Sequence, residues 1–239
     1  MGLEERLAII QDKIAAAARE AERDPSGITL EAATKTQASA AIRAAIAAGI
    51  TVCGENRVQE LAVHLDDYAY DGAAVHFIGH LQTNKVRQVV GRVDLIESVD
   101  SRRLLEAIEG QAGKLGVIQD ILLEVNIGAE PQKGGVPPDD LSALALAAAQ
   151  FPHVRLRGLM AVPPPAAVPG GNRHFFARMR QLFVDIRTLI GDNKSDMACL
   201  SMGMSGDYED AVREGATLVR VGSALFGPRP PVNGTPPQA

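Results

Sequence analysis

Apolar positions along the chain follow two rhythms. From Leu3 to Glu22, in LEERLAIIQDKIAAAAREAE, they recur at helical spacing with acidic residues in the first turn, and Asp24-Pro25-Ser26-Gly27 then stops the run. After this first helix, short apolar runs alternate with amphipathic stretches. The pairs are Thr29–Thr34 with Ala38–Ala48, Thr51–Cys53 with Asn56–Asp66, Val75–Ile78 with Asn84–Val90, and Val93–Glu97 with Ser101–Gln111. They continue as Ile118–Ile127 with Pro138–Ala149, Val154–Met160 with Arg173–Ile190, and Asp196–Leu200 with Gly206–Glu214, and the series closes on Thr217–Val221. Such a series gives about eight strands, the number that closes a parallel barrel of about 250 residues. The expected fold is therefore α/β, a single (β/α)8 barrel of the TIM type over residues 1–227. Almost no helix follows the eighth strand, so the extra N-terminal helix is expected to cover that side. Residues 228–239 belong to the Pro- and Gly-rich run GPRPPVNGTPPQA and are expected to be disordered. An open doubly wound sheet fits the same alternation, but no GxGxxG accompanies it.

Composition narrows the function. The 239 residues are 46% hydrophobic and 22% charged, enough for one substantial core. Against 29 acidic residues stand 24 basic ones, net −5, with no basic block, so the electrostatic footprint of a nucleic-acid binder is missing. Charge breaks every apolar stretch well short of the roughly 20 residues needed to cross a bilayer. The opening MGLEERLAII has no signal-peptide layout, and Arg6 stands where a myristoylation motif wants Ser or Thr. A cytoplasmic protein without membrane or nucleic-acid partners is expected. Cys53 and Cys199 form no CxxC and read as small core residues.

In a parallel barrel, chemistry gathers where strands end. Lys35 ends the first strand, on the same face as Glu31 and Ala33. It is either a surface lysine or a pocket amine, and a desolvated amine is a nucleophile able to form a Schiff base with an aldehyde. Arg220, between Val219 and Val221, turns inward and needs an acceptor, whether a ligand or a structural ion pair with a residue such as Glu31. Gly222 and Ser223 follow it, where backbone N–H groups can approach an anion, and the loops after strands seven and eight are the usual phosphate site of this fold. In LSMGMSGDYEDA, Ser201, Gly203, Ser205 and Gly206 resemble an anion-binding turn. Asp207, Glu209 and Asp210 already occupy the helix start, which moves the anion back toward Ser201; ordinary capping explains Ser205 and the acids equally.

The stretches ATKT, CGENRVQE, HFIGHLQTNKV, NIGAEPQKGGV, LRGLMAV, LSMGMSGDYEDAV and LVRVGSALFG, in this order and spacing, resemble the pyridoxal phosphate homeostasis protein family, whose fold is similar to the barrel domain of alanine racemase. The resemblance runs from about the first helix to Gly227. It implies that Lys35 carries pyridoxal 5′-phosphate as a Schiff base, that Arg220 lies near the pyridine nitrogen, and that Ser201, Gly222 and Ser223 meet the phosphate. Asn56 and Met160 would line the pocket, with His80 at its rim. An arginine beside the ring nitrogen keeps it unprotonated and weakens the ring as an electron sink. Gln37 departs from the pattern, because many relatives carry a second lysine there. Lys133 keeps the lysine of the NI–KG stretch, either functional or simply solvated.

His76 and His80 would chelate a metal on a helix, but on a strand they stand about 13 Å apart, so no metal is expected. Two functions fit. One is a non-catalytic carrier, a monomer that holds the cofactor and delivers it to apo forms of pyridoxal phosphate enzymes. The other is a racemase-like enzyme, but racemases of this type append a β-rich domain and take a tyrosine from the partner subunit. This chain has only Tyr68, Tyr70 and Tyr208, and Tyr208 matches no racemase motif.

Overall fold

The structure is a computed structural model that describes residues 1–166, 168–191 and 197–227. The expected tail 228–239 and the expected Asp196 start of strand seven lie outside the described residues. Eight parallel strands close into a barrel in chain order: β1 (Thr29–Ala33), β2 (Val52–Glu55), β3 (Ala74–Phe77), β4 (Leu95–Val99), β5 (Gln119–Glu124), β6 (Val154–Met160), β7 (Cys199–Ser201) and β8 (Leu218–Val221). Closure comes from β8 pairing with β1, which sets Glu31 opposite Arg220 and Ala32 opposite Val221. Around the barrel run α1 (Leu3–Glu20), α2 (Ser39–Ala47), α3 (Val58–Asp66), α4 (Arg102–Leu115), α5 (Leu141–Ala148), α6 (Arg173–Ile190), α7 (Tyr208–Arg213) and α8 (Ser223–Phe226).

Local chemistry explains most boundaries. The side chain of Ser101 caps α4 by accepting the Leu104 N–H, and Gly116, left-handed at φ 67, ends it. Asn84–Val90 forms a 3-10 helix over Thr83–Gln88 instead of a full α-helix, with Val86 buried inside it and Val89 and Val90 buried just after it. Pro137 and Pro138 remove two donors, so the next element opens as a 3-10 turn at Pro138–Asp140 before α5 begins.

Helix α1 buries Leu7, Ile10, Ile14, Ala17 and Ala18 and packs across α7 and α8, on the side that α8 is too short to cover. Its polar edge is tied to the same elements. Arg6 Nε donates to the Leu225 carbonyl, Lys13 pairs with Glu209 at 3.0 Å, and Glu20 pairs with Arg213 at 2.7 Å. The main core fills the space between helices and barrel. Inside the barrel, Leu95, Leu122 and Met160 form a small apolar cluster with Val162 and Cys199, and polar groups fill the rest. No described helix is long and apolar enough to cross a membrane.

Candidate functional site

Lys35 lies one residue past Thr34 at the end of β1 and is half-buried. Both neighbours are pinned. The Thr34 hydroxyl lies 3.0 Å from the Gly54 carbonyl and 3.3 Å from Glu55 Oε2, and the Gln37 N–H donates back to the Thr34 carbonyl at 2.9 Å. Within that turn Thr36 sits at φ 65, a left-handed position that favours glycine and is costly for a β-branched residue. Its N–H donates to Glu60 Oε2 at 2.9 Å, and Arg57 holds the same glutamate at 3.1 Å. The backbone carrying Lys35 is thus clamped from β2 and from the first turn of α3. Such strain clusters where a side chain must be aimed.

Behind this turn lies a buried carboxylate. Glu55 accepts from Tyr70 Oη at 3.1 Å and from the Asn56 N–H at 2.9 Å, with His64 Nδ1 at 3.4 Å. Burial raises its pKa. Asn56 follows at the end of β2, and its Oδ1 is buried with no hydrogen-bond partner among the described residues. A buried acceptor left unpaired costs about 1–3 kcal/mol, so this amide is poised to take a donor from a ligand or water.

The barrel interior holds a second, larger polar assembly. Glu31, Glu97 and Ser201 are fully buried, and His76 and Arg220 nearly so. Although β1 and β3 are not neighbours, Glu31 reaches His76 because Gly54 on the intervening β2 has no side chain: a Cβ there would stand 1.7 Å from Glu31 Oε1. His76 Nδ1 lies 2.8 Å from Glu97 Oε1 and 3.2 Å from Glu31 Oε2. Glu97 Oε2 accepts the Ser201 hydroxyl at 2.6 Å, and Ser201 Oγ accepts from Arg220. Arg220 also donates to the Ala161 carbonyl at 2.9 Å and stands 3.7 Å from Glu97.

Burial and the Glu97 charge push the Glu31 carboxyl up to about 8. For His76 burial opposes the charged ring, but hydrogen bonds and charge from Glu31 and Glu97 outweigh it and raise the imidazole to about 10. Burial would also favour neutral Glu97, yet the His76 hydrogen bond and charge, with Arg220, hold it down at about 2. On β5, burial and Asp100 raise Glu124 to about 7.

Glu31, His76 and Glu97 are metal-ligand types, with one ligand atom of each within 4.8 Å of the others. Their negative charge is already answered by the imidazolium and by the Arg220 guanidinium, which disfavours a further cation. His80 does not join them. It is exposed, with Nδ1 3.8 Å from Asp100.

The sequence-derived candidates separate in space. Lys35, Asn56, Gly222 and Ser223 stand at the strand ends around β1, β2 and β8. The backbone of Gly222 comes so near β1 that a Cβ would lie 3.3 Å from the Ala33 carbonyl, and its N–H and that of Ala224 both point at Ser205 Oγ, at 3.2 and 3.3 Å. Ser205 is therefore not the helix cap; Asp207 holds the N-cap position of α7 without a side-chain bond to the helix, its Oδ1 instead accepting the Met204 N–H of the preceding turn at 2.8 Å. The Ser201 hydroxyl is turned into the barrel between Glu97 and Arg220, and Met160 packs in the interior apolar cluster. Lys133 is drawn to Glu130 at 2.5 Å and donates to the Pro163 carbonyl at 3.2 Å, so it is not plainly solvated. A cleft of about 700 Å³ between α1, α7 and Val168–Gly170 contains neither Lys35 nor Arg220.

Sequence reasoning gave no functional role to Glu97, His76, Glu55 or Glu60. The available signal was charge inside apolar strands: glutamates in TLEAA, VCGE and LIESV occupy positions where Val or Ile is the rule.

The sequence model of the family described as alanine racemase, N-terminal domain, matches residues 8–230. A pyridoxal phosphate homeostasis protein of Aquifex aeolicus is 40% identical over 225 residues, 94% of this chain and 97% of that one. One from Escherichia coli K12 is 38% identical over 226 residues, 93% of this chain and 95% of that one. Among solved structures, PipY of Synechococcus elongatus PCC7942 with PLP bound superposes with a TM-score of 0.82 at 35% identity, covering 95% of this chain and all of that one.

Proposed function

We propose that this chain, which belongs to the pyridoxal phosphate homeostasis protein family, binds pyridoxal 5′-phosphate at the mouth of its barrel with Lys35 as the covalent anchor. Its role is to hold the cofactor reversibly, help control its free level in the cytoplasm and deliver it to apoenzymes, without substantial catalysis. When bound, the cofactor supplies an aldehyde that condenses with an amine and a ring that can accept electrons.

The residues present fit that group. Thr34 and Thr36, each pinned by a glutamate, fix the backbone from which the Lys35 amine projects. The unpaired Asn56 Oδ1 offers an acceptor beside it. Gly222 leaves the gap a phosphate needs, and its N–H with those of Ser223 and Ala224 can turn to phosphate oxygens once Ser205 yields its place. Because the Ser201 hydroxyl is already committed to Glu97 and Arg220, we assign the side chain to holding the arginine and leave the phosphate to backbone donors. Met160 would close the floor of the site, and Arg220 would serve the ring nitrogen.

The observation that carries this reading is the strained, doubly clamped turn around Lys35. The expected lack of turnover rests on Arg220: an arginine never surrenders its proton, so it would leave a ring nitrogen placed beside it unprotonated and weaken the ring as an electron sink. A second base is also needed for racemisation, and Gln37 does not titrate.

Borohydride reduction of the cofactor-loaded protein and peptide mapping should place the pyridoxyl group on Lys35, and Lys35→Ala should stay folded without the visible band. A label chiefly on Lys85 or Lys133 overturns the anchor. Incubation with alanine in deuterated water should show no α-proton exchange on a catalytic timescale; fast exchange that Lys35→Ala abolishes would make the protein an enzyme.

A further inference from the structure

The interior assembly is directional. Ser201 has one hydroxyl proton and gives it to Glu97 Oε2 at 2.6 Å, which leaves its lone pairs to accept from Arg220. That order holds only while Glu97 is ionised; a protonated Glu97 would donate to Ser201 and turn the hydroxyl proton toward the guanidinium. His76 secures the ionised form from the other side, its Nδ1 at 2.8 Å from Glu97 Oε1, and Glu31 backs His76 at 3.2 Å across Gly54. Two of the three guanidinium nitrogens of Arg220 are then engaged, by Ser201 and by the Ala161 carbonyl, while its Nε–H makes no hydrogen bond among the described residues.

We propose that Glu97, backed by His76 and Glu31, is a positioning residue for cofactor recognition, holding Arg220 through Ser201 so that its Nε–H is left to meet the acceptor nitrogen of the cofactor ring. The inference rests on the reading that pyridoxal phosphate occupies the barrel mouth. Glu97 itself touches no cofactor atom. It acts from the opposite wall of the barrel, on β4, upon a guanidinium on β8. The charged groups facing this assembly are Glu31 on β1, His76 on β3, Glu124 on β5 and Arg220 on β8, with the Cys199 thiol on β7. Glu97 is thus the anion nearest Arg220, and its loss leaves the ring end of the site more positive.

Glu97→Gln keeps the size and removes the charge. Titration with pyridoxal phosphate, followed by visible absorption, should show affinity about tenfold weaker than wild type, as expected for losing one charge-assisted contact. The pH midpoint of the bound chromophore should fall by about one unit, because a more positive surrounding disfavours the protonated imine. The ratio of affinities for pyridoxal phosphate and pyridoxal should stay at the wild-type value, since the phosphate end is untouched. A merely structural role would lower affinity without moving the midpoint. Should Glu97→Gln fail to fold by circular dichroism, Ser201→Ala breaks the same link and should move both readouts in the same direction by about threefold and about half a unit. Folded variants with wild-type affinity and midpoint overturn the inference alone. A wild-type protein that gains no visible band with pyridoxal phosphate overturns the binding-site reading and the inference together.

Discussion

Gly54→Ala tests the interior assembly through sterics. An added Cβ would lie 1.7 Å from Glu31 Oε1 and 2.9 Å from Ile78 Cδ1, both far inside the distance real atoms tolerate. Ile78 can rotate its terminal methyl. Glu31 cannot retreat so simply, because it is fully buried and its other oxygen lies 3.2 Å from His76. Overpacking a dense interior costs about 1–3 kcal/mol, and breaking a hydrogen bond to a charged group costs about 1.5–3 more. The expected destabilisation is therefore about 3–5 kcal/mol, or a fall in Tm of about 6–20 °C for a chain of this size. Urea and thermal unfolding of the cofactor-free protein, followed by circular dichroism, measure it. In a Glu31→Ala background the same substitution should cost about 1 kcal/mol or less, because the clashing carboxylate is gone. A loss below about 1 kcal/mol in the wild-type background, or an equal loss in both backgrounds, would show that Gly54 does not make room for Glu31.

Two further outcomes follow from the same geometry. Thr36→Gly removes a β-branched residue from φ 65; relief of about 1–2 kcal/mol of strain, less about 0.5–1 kcal/mol of added chain entropy, should raise Tm by about 1–4 °C. A lower Tm would mean that the turn is not strained. The pH dependence follows from the buried groups: Glu31 at about 8 and His76 at about 10 are raised, so their contributions are complete below the unfolded values of about 4.3 and 6.5 and are lost as pH rises through the folded ones. Glu97 at about 2 works the other way, contributing above about 4.3 and losing that contribution as pH falls through about 2. The urea midpoint of the cofactor-free protein should decline steadily from pH 6 to pH 10, and a flat profile over that range would refute the assignment.

The barrel was legible because each strand and helix carries its own pattern. Val154–Met160 and Arg173–Ile190 have the bounds read from the sequence, one a strand that alternates Val154 and Leu156 with Arg155 and Arg157 before its buried end, the other a long amphipathic helix ended by Gly191. The inward arginine was legible too, since two β-branched neighbours fix which way Arg220 faces. Its partner was not. Glu31 is the register partner of Arg220 on the adjacent strand and the obvious ionic candidate, yet the carboxylate runs over Gly54 to His76, and Arg220 is answered by Glu97 from across the barrel. Contacts across an interior depend on which side chains are missing between them, and a one-dimensional pattern does not record that. The Thr36 turn was equally silent, because a threonine in a position suited to glycine carries no turn signal of its own.

Closure of the ring by β1 and β8 has a consequence for the order of events during synthesis. Lys35 follows the first strand and Arg220 sits on the last, 185 residues later, and they belong to neighbouring strands only once β8 slides in beside β1 and α1 docks on α7 and α8. An unfinished chain emerging from the ribosome can display the lysine, but it has neither the arginine nor the glycine gap that would retain a ligand. Retention of the small molecule is therefore a certificate of completed folding. Any ligand that binds only the closed ring also resists its reopening, so free cofactor would act on newly made protein as a latch applied after the last strand is in place.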